Sequence, residues 1–145
     1  NAKQKLHLVE KIKAHFQGNL KGKHFALWGL AFKPNTDDIR EAPALVIIDA
    51  LLQEGASITV YDPEAMLAVQ VQVGAKINYA QSQYQALEKA DALIIATEWS
   101  EFRTPDFERI GISLKSKVIF DGRNLFEVAK IQSMGYKYIS IGRPQ

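Results

Sequence analysis

Six short apolar runs alternate with helical patterns along this chain, and that alternation constrains the fold more than any other feature. The runs are His24–Leu30, Ser57–Tyr61, Lys76–Tyr79, Ala92–Ala96, Lys117–Phe120 and Lys137–Ile141. They recur at a spacing of roughly 20–25 residues, with helix-period segments between them. His24 to Leu30, HFALWGL, is almost continuously apolar, as a strand buried on both faces must be. Helical patterns span 1–17, 43–54, 64–73, 82–89, 105–110 and 126–134. Their ends carry stop and start chemistry: Gly18, Gly55 and Gly74 as stops, Pro43 in a first turn, Ser82 as an N-cap. Such alternation predicts an α/β fold, a doubly wound, mainly parallel, Rossmann-like sheet of about six strands with helices on both faces.

Composition narrows the function classes. With 145 residues, 47% of them hydrophobic and 23% charged, the chain can form one ordinary domain. Eighteen Lys and Arg against sixteen Asp and Glu leave +2, too balanced to argue for nucleic acid or an anionic membrane as partner. Cysteine is absent, which removes disulfides, thiolate metal sites and a Cys nucleophile carried on this chain. No apolar run approaches the ~20 residues of a membrane span. The chain opens with Asn1 inside a helical pattern, so it reads as a piece of a longer protein.

In open parallel sheets, ligands bind beyond the carboxyl ends of the strands. Four segments fall there: Gly29 to Pro43, Asp62-Pro63, Thr97 to Phe102 and Asp121 to Asn124. A dinucleotide site would place G-x-G-x-x-G after the first strand. Gly29-Leu30-Ala31-Phe32-Lys33 stands there instead, so that fingerprint is missing. Phe32 can stack on a base or plug the core; Lys33 can meet a phosphate or end in solvent. Arg40 sits among Asp37, Asp38 and Glu41, which can hold its guanidinium as a phosphate ligand. Arg123 lies in a tight Asp-Gly-Arg-Asn turn, where Gly122 permits a positive φ. Asp62 can meet a ribose or cap the next helix. Trp99 and Phe102 read as packing residues, and His7, His15 and His24 as structural ones. Neither metal-ligand spacing nor a nucleophile–base pair is present.

Four stretches carry a resemblance. The run Gly22-Lys23, then Leu27 to Pro43 (LWGLAFKPNTDDIREAP), together with Tyr61 to Met66, Thr97-Glu98-Trp99 with Phe102, and Asp121 to Asn124, closely resembles the C-terminal domain of the UDP-glucose/GDP-mannose dehydrogenase family. The match runs over residues 1 to about 143 and looks most like the bacterial UDP-glucose 6-dehydrogenases. It implies a cytoplasmic, NAD-dependent enzyme that oxidises a sugar C6 alcohol to a carboxylate in two steps. It also implies an upstream N-terminal NAD-binding domain as partner and a homo-oligomer in the full-length enzyme. Residues 1–20 would then be the end of a central interdomain helix, and 21–145 the UDP-sugar-binding domain. The family's catalytic Cys and Lys lie upstream, so the resemblance leaves no catalytic residue here and a chain that is not catalytic alone. Phe32, Lys33 and Arg123 resemble substrate-binding residues, and Arg40 the residue that reaches the NAD phosphates. GDP-mannose and UDP-N-acetylmannosamine remain open as substrates beside UDP-glucose, as does a non-catalytic nucleotide-binding module.

Overall fold

The computed structural model describes residues 2–141, with side chains from His7 onward. Leu6, expected on the apolar stripe of the first helix, and residues 142–145, the expected end of the second unit, lie outside the described part. Strands β1 (His24–Trp28), β2 (Ser57–Tyr61), β3 (Asn78–Tyr79), β4 (Ala92–Ile95), β5 (Val118–Asp121) and β6 (Lys137–Ser140) form one sheet in the order β3-β2-β1-β4-β5-β6. Every pairing is parallel. This is the doubly wound, Rossmann-like order expected from the alternation. β4 and β5 are buried along their whole length, and β1 from Phe25 on, which is why their sequences are apolar on both faces.

Among the described residues the sheet is accompanied by six α-helices: α1 (Ala2–His15), α2 (Pro43–Gln53), α3 (Met66–Val73), α4 (Ser100–Arg103), α5 (Phe107–Ser113) and α6 (Val128–Ser133). α2 carries more apolar positions than one core-facing stripe needs, and that surplus predicts contact with another domain or subunit. Much of it is met within the chain. Ala44, Ile47, Ile48 and Leu51 are buried, and α1 packs against α2. Leu8, Val9 and Ile12 of α1 belong to the same continuous core. Lys11 Nζ donates to Ser140 O at 2.7 Å, and Lys13 pairs with Glu54 at 3.2 Å, latching α1 at two further points.

Two expected elements differ. The segment expected as a helix over 82–89 holds only a single 3-10 turn, Gln85–Leu87. Ser82 Oγ accepts from Gln85 N at 3.0 Å, so it caps that turn rather than a helix. Trp28 Nε1 donates to Gln83 O at 2.7 Å, and Lys89 takes a left-handed φ of 63°. The short crossover is thereby pinned beneath the sheet before an α-helical ladder can propagate. The second difference lies at 100–113, where two helices replace one, because Pro105 separates α4 from α5 and Asp106 accepts from Arg109 N as the N-cap of α5. No described helix is long and apolar enough to cross a membrane.

Candidate functional site

The sheet's topological switch lies between β1 and β4, neighbours whose onward connections leave in opposite directions. The loops that follow β1, β2, β4 and β5 share this end, and Asp62 ties three of them together. Its Oδ2 accepts from Leu30 N (2.7 Å), Ala31 N (3.0 Å) and Trp99 Nε1 (3.1 Å). Its Oδ1 accepts from Glu64 N and Ala65 N, both at 2.8 Å. The residue is fully buried, and five N–H dipoles compensate its carboxylate. Asp62 thus faces the chain itself: its Oδ1 closes the turn that leads into α3, but the N-cap of that helix is Ala65, which no side chain caps, so the helix-capping role is not the one it takes. Gly29 lets the chain turn beside it. Its φ is 100°, and a Cβ there would lie 2.6 Å from Thr97 N. Thr97 Oγ1 in turn donates to Ala31 O at 2.8 Å.

On this frame stands the loop after β1. Phe32 is 47% exposed, so it is not a core plug. Its backbone N donates to Asp38 O at 2.8 Å, closing the loop on itself. Asn35 (φ 66°) and Glu41 (φ 56°) take the left-handed conformations that bend it. Lys33 is exposed and makes no hydrogen bond or ion pair among the described residues. Arg40 donates to Asp38 through its backbone N (2.9 Å), Nε (3.0 Å) and Nη2 (2.9 Å). Asp38 alone holds it, while Asp37 and Glu41 take no part in that grip. The hydrogen bonds from Arg40 keep the Asp38 carboxyl well below the usual range, at about 2. The Arg40 side chain remains 87% exposed, so the pair orients it without hiding it.

Arg123 belongs to the turn after β5. Asp121 is fully buried; its Oδ1 accepts from Arg123 N, and its Oδ2 from Leu125 N and Tyr138 Oη, at 2.7, 2.7 and 2.6 Å. The expectation that Gly122 supplies a positive φ is corrected here. The left-handed residue is Asn124 (φ 57°), whose side-chain amide exchanges hydrogen bonds with the backbone of Ile141. At Gly122 the constraint is space: a Cβ would lie 3.2 Å from Leu8 Cδ2 and 3.4 Å from Ile95 O. The Arg123 guanidinium is held by Glu98, with Nε at 3.1 Å and Nη2 at 2.6 Å from one carboxylate oxygen. Burial pushes the Glu98 carboxyl up, but the bonds and charge of Arg123, helped among other contacts by the charge of Arg103, together hold it below its ordinary value. Glu98 is the residue that sequence reasoning passed over, although its motif neighbours were singled out.

Lys33, Arg40 and Arg123 therefore stand at one end of the sheet, on loops from either side of the switch. No hydrogen bond among the described residues joins Arg123 to the β1 loop. This end carries Lys33, Arg40 and Arg123, with Arg103 close enough to act on Glu98, and the exposed ring of Phe32. It suits binding of a polyanionic, partly planar ligand. A separate groove of about 500 Å³ lies at the opposite end, lined by His24, Thr59, Asn78, Lys89 and Lys115 among others. Both ring nitrogens of His24 are occupied there, by Ser57 Oγ at 2.6 Å and Thr59 Oγ1 at 2.9 Å, as its structural assignment requires.

Comparison with known proteins adds independent weight. Residues 26–128 match the model of the UDP-glucose/GDP-mannose dehydrogenase family, UDP binding domain. UDP-glucose 6-dehydrogenase of Pseudomonas aeruginosa is 45% identical over 150 aligned residues, covering 100% of this chain and 33% of that protein. UDP-glucose 6-dehydrogenase TuaD of Bacillus subtilis is 44% identical, covering 99% of this chain and 31% of that protein. The solved UDP-glucose dehydrogenase of Pyrobaculum islandicum superposes with a TM-score of 0.78 at 31% identity, over 98% of this chain and 30% of that one. The chain thus spans about a third of the length of the curated relatives it matches. With the fold, the switch-point loops and the family match in agreement, this chain belongs to the UDP-glucose/GDP-mannose dehydrogenase family and carries its UDP binding domain.

Proposed function

We propose that this chain is the nucleotide-sugar-binding part of an NAD-dependent enzyme that oxidises the C6 alcohol of UDP-glucose to the carboxylate of UDP-glucuronate. The observation that supports this most directly is the position of Lys33 and Arg123. They follow β1 and β5, on either side of the switch point, where a diphosphate can receive a point charge from one and a forked donor from the other. Exposed Phe32, beside Lys33, offers an apolar face to the base or ribose. The names of the Pseudomonas aeruginosa and Bacillus subtilis relatives favour UDP-glucose over other sugar nucleotides.

Arg40 has a different task in this reading. Its guanidinium projects from the loop, oriented by Asp38, towards a nicotinamide dinucleotide held mainly by an N-terminal domain. The forked donor set fits a phosphate, whereas the loop after β1 has no glycine-rich cradle for a pyrophosphate. NAD, when bound, supplies the hydride acceptor; this chain contributes binding and orientation. The reacting thiol and proton-transferring groups belong to the upstream domain, and α1 is the end of the helix that joins the two.

Steady-state kinetics of the full-length enzyme, with each substrate varied in turn, tests the assignment. Losing one charge-assisted phosphate contact weakens binding by about 1.5–3 kcal/mol, or roughly ten- to a hundredfold. Lys33→Ala and Arg123→Ala are expected to raise the KM for UDP-glucose by that factor, and Arg40→Ala mainly the KM for NAD. Arg40→Lys should not restore it fully, since an ammonium lacks the fork. An Arg40→Ala effect confined to UDP-glucose, or no effect of Arg123→Ala on either substrate, contradicts the placement.

A further inference from the structure

The Glu98–Arg123 pair is built differently from an ordinary surface ion pair. Both donors of the Nε–Nη2 edge fall on a single oxygen, Oε2. The second oxygen, Oε1, is enclosed and has no hydrogen-bond partner among the described residues. An isolated pair selected only for charge gains little from burying an unpaired carboxylate oxygen. Here the carboxylate is also rigidly carried. Thr97, on one side of it, is buried and bonded to Ala31 O, and Trp99, on the other, is bonded to the buried Asp62. Glu98 therefore stands on a short stretch anchored at both flanks, directly after β4 at the switch point.

The arginine is gripped from two directions. Asp121 fixes its backbone N, and Glu98 fixes one edge of its head. A guanidinium has five N–H donors in a plane. Glu98 engages the Nε–Nη2 edge, so the Nη1–Nη2 edge keeps donors for a second anion in forked geometry. The Arg123 side chain is 37% exposed and Glu98 only 22%, so the arginine is the more accessible partner.

We infer that Glu98 is a positioning residue: it orients the guanidinium of Arg123 so that the Nη1–Nη2 edge, which Glu98 leaves with donors to spare, meets the diphosphate of the nucleotide sugar, without itself touching the ligand. The inference rests on the placement of the substrate diphosphate at Arg123 proposed above. It carries a consequence in sign. With Arg123 present, the carboxylate aids diphosphate binding by fixing the donor. Without Arg123, the same carboxylate keeps only the more weakly acting charge of Arg103 beside it, and its negative charge near a polyanion opposes binding.

The test is a double-mutant cycle on UDP affinity, measured calorimetrically on the full-length protein. Glu98→Gln keeps the shape and removes the charge; Glu98→Ala removes both; thermal unfolding of each variant checks that it is folded. With Arg123 present, both are expected to weaken UDP binding, Glu98→Gln by about tenfold. In the Arg123→Ala background, Glu98→Gln is expected to leave UDP affinity unchanged or to tighten it. Equal losses in the two backgrounds would mark a merely structural role and overturn the inference. Tighter UDP binding by Glu98→Gln with Arg123 present would show that Glu98 masks the arginine, and overturns it equally. If Arg123→Ala weakens UDP binding and Glu98→Gln does not, this inference alone fails. If Arg123→Ala has no effect, the ligand placement fails and the inference falls with it.

Discussion

Asp62 and Asp121 show what single residues reveal and conceal. Both were recognisable as acids ending strands at the ligand end of the sheet. For Asp62 the sequence leaves open whether it meets a ligand or the chain itself; Asp121 is legible only as the start of a tight turn. Each is fully buried and saturated by the chain's own donors, so each builds the site rather than touching what enters it. Glu98 was illegible for another reason. Its partner lies 25 positions away, on a different strand end, and no periodicity connects them. Glycines separate similarly. Gly29 is required by both φ and space, because a Cβ would strike Thr97 at 2.6 Å, backbone nitrogen included. Gly122 is limited only by contacts at 3.2 and 3.4 Å, the nearer one with the flexible end of Leu8. Denaturant unfolding should therefore rank the two. Gly29→Ala is expected to destabilise by about 2–5 kcal/mol, combining backbone strain with overpacking. Gly122→Ala should lose about 1 kcal/mol. Equal effects would contradict the distinction drawn between them.

At the scale of elements, strands read more clearly than crossovers. The apolar runs locate all six strands within a residue or two, because burial on both faces leaves little sequence freedom. The crossover at 82–89 misleads because its helical composition is overridden by tertiary bonds, above all from Trp28 to Gln83 O. The loop after β1 is an element in its own right, ordered by the Asp38–Arg40 pair and the Phe32 N to Asp38 O bond. Its pH response follows from Asp38, whose carboxyl is lowered from 3.8 to about 2. A carboxyl depressed in the folded state contributes fully above its unfolded value, and that contribution disappears as pH falls through the folded one. The loop should thus keep its Arg40 grip throughout the neutral range and lose it progressively between 3.8 and about 2. An NMR carboxyl titration of Asp38 should give a midpoint near the lower figure, moving up towards 3.8 in Arg40→Ala. A midpoint at or above the ordinary value in the unsubstituted protein would show that the pair does not form in solution.

For the whole molecule, α1 shows how much of the core a terminal helix can supply. Leu8, Val9 and Ile12 are buried against this chain's own core. Sequence periodicity identifies an apolar face but not what covers it. Burying three aliphatic side chains is worth about 5 kcal/mol or more, a large share of the 5–15 kcal/mol typical of a domain. Deleting residues 1–17 should therefore leave the remainder largely unfolded by circular dichroism and calorimetry. A truncated chain that melts as cooperatively and as high as the intact one would contradict the assignment of α1 to the core.

The central claim is that the carboxyl ends of β1, β4 and β5 form a uridine diphosphate site. Following backbone amide shifts of the isotope-labelled chain while UDP is added tests it most directly. The account predicts saturable shifts concentrated in 29–40, 97–99 and 121–124, with the saturation curve moved to higher UDP by Lys33→Ala and by Arg123→Ala. Shifts centred instead on His24, Asn78 and Lys115 at the opposite end of the sheet, or no shifts at millimolar UDP, would contradict it.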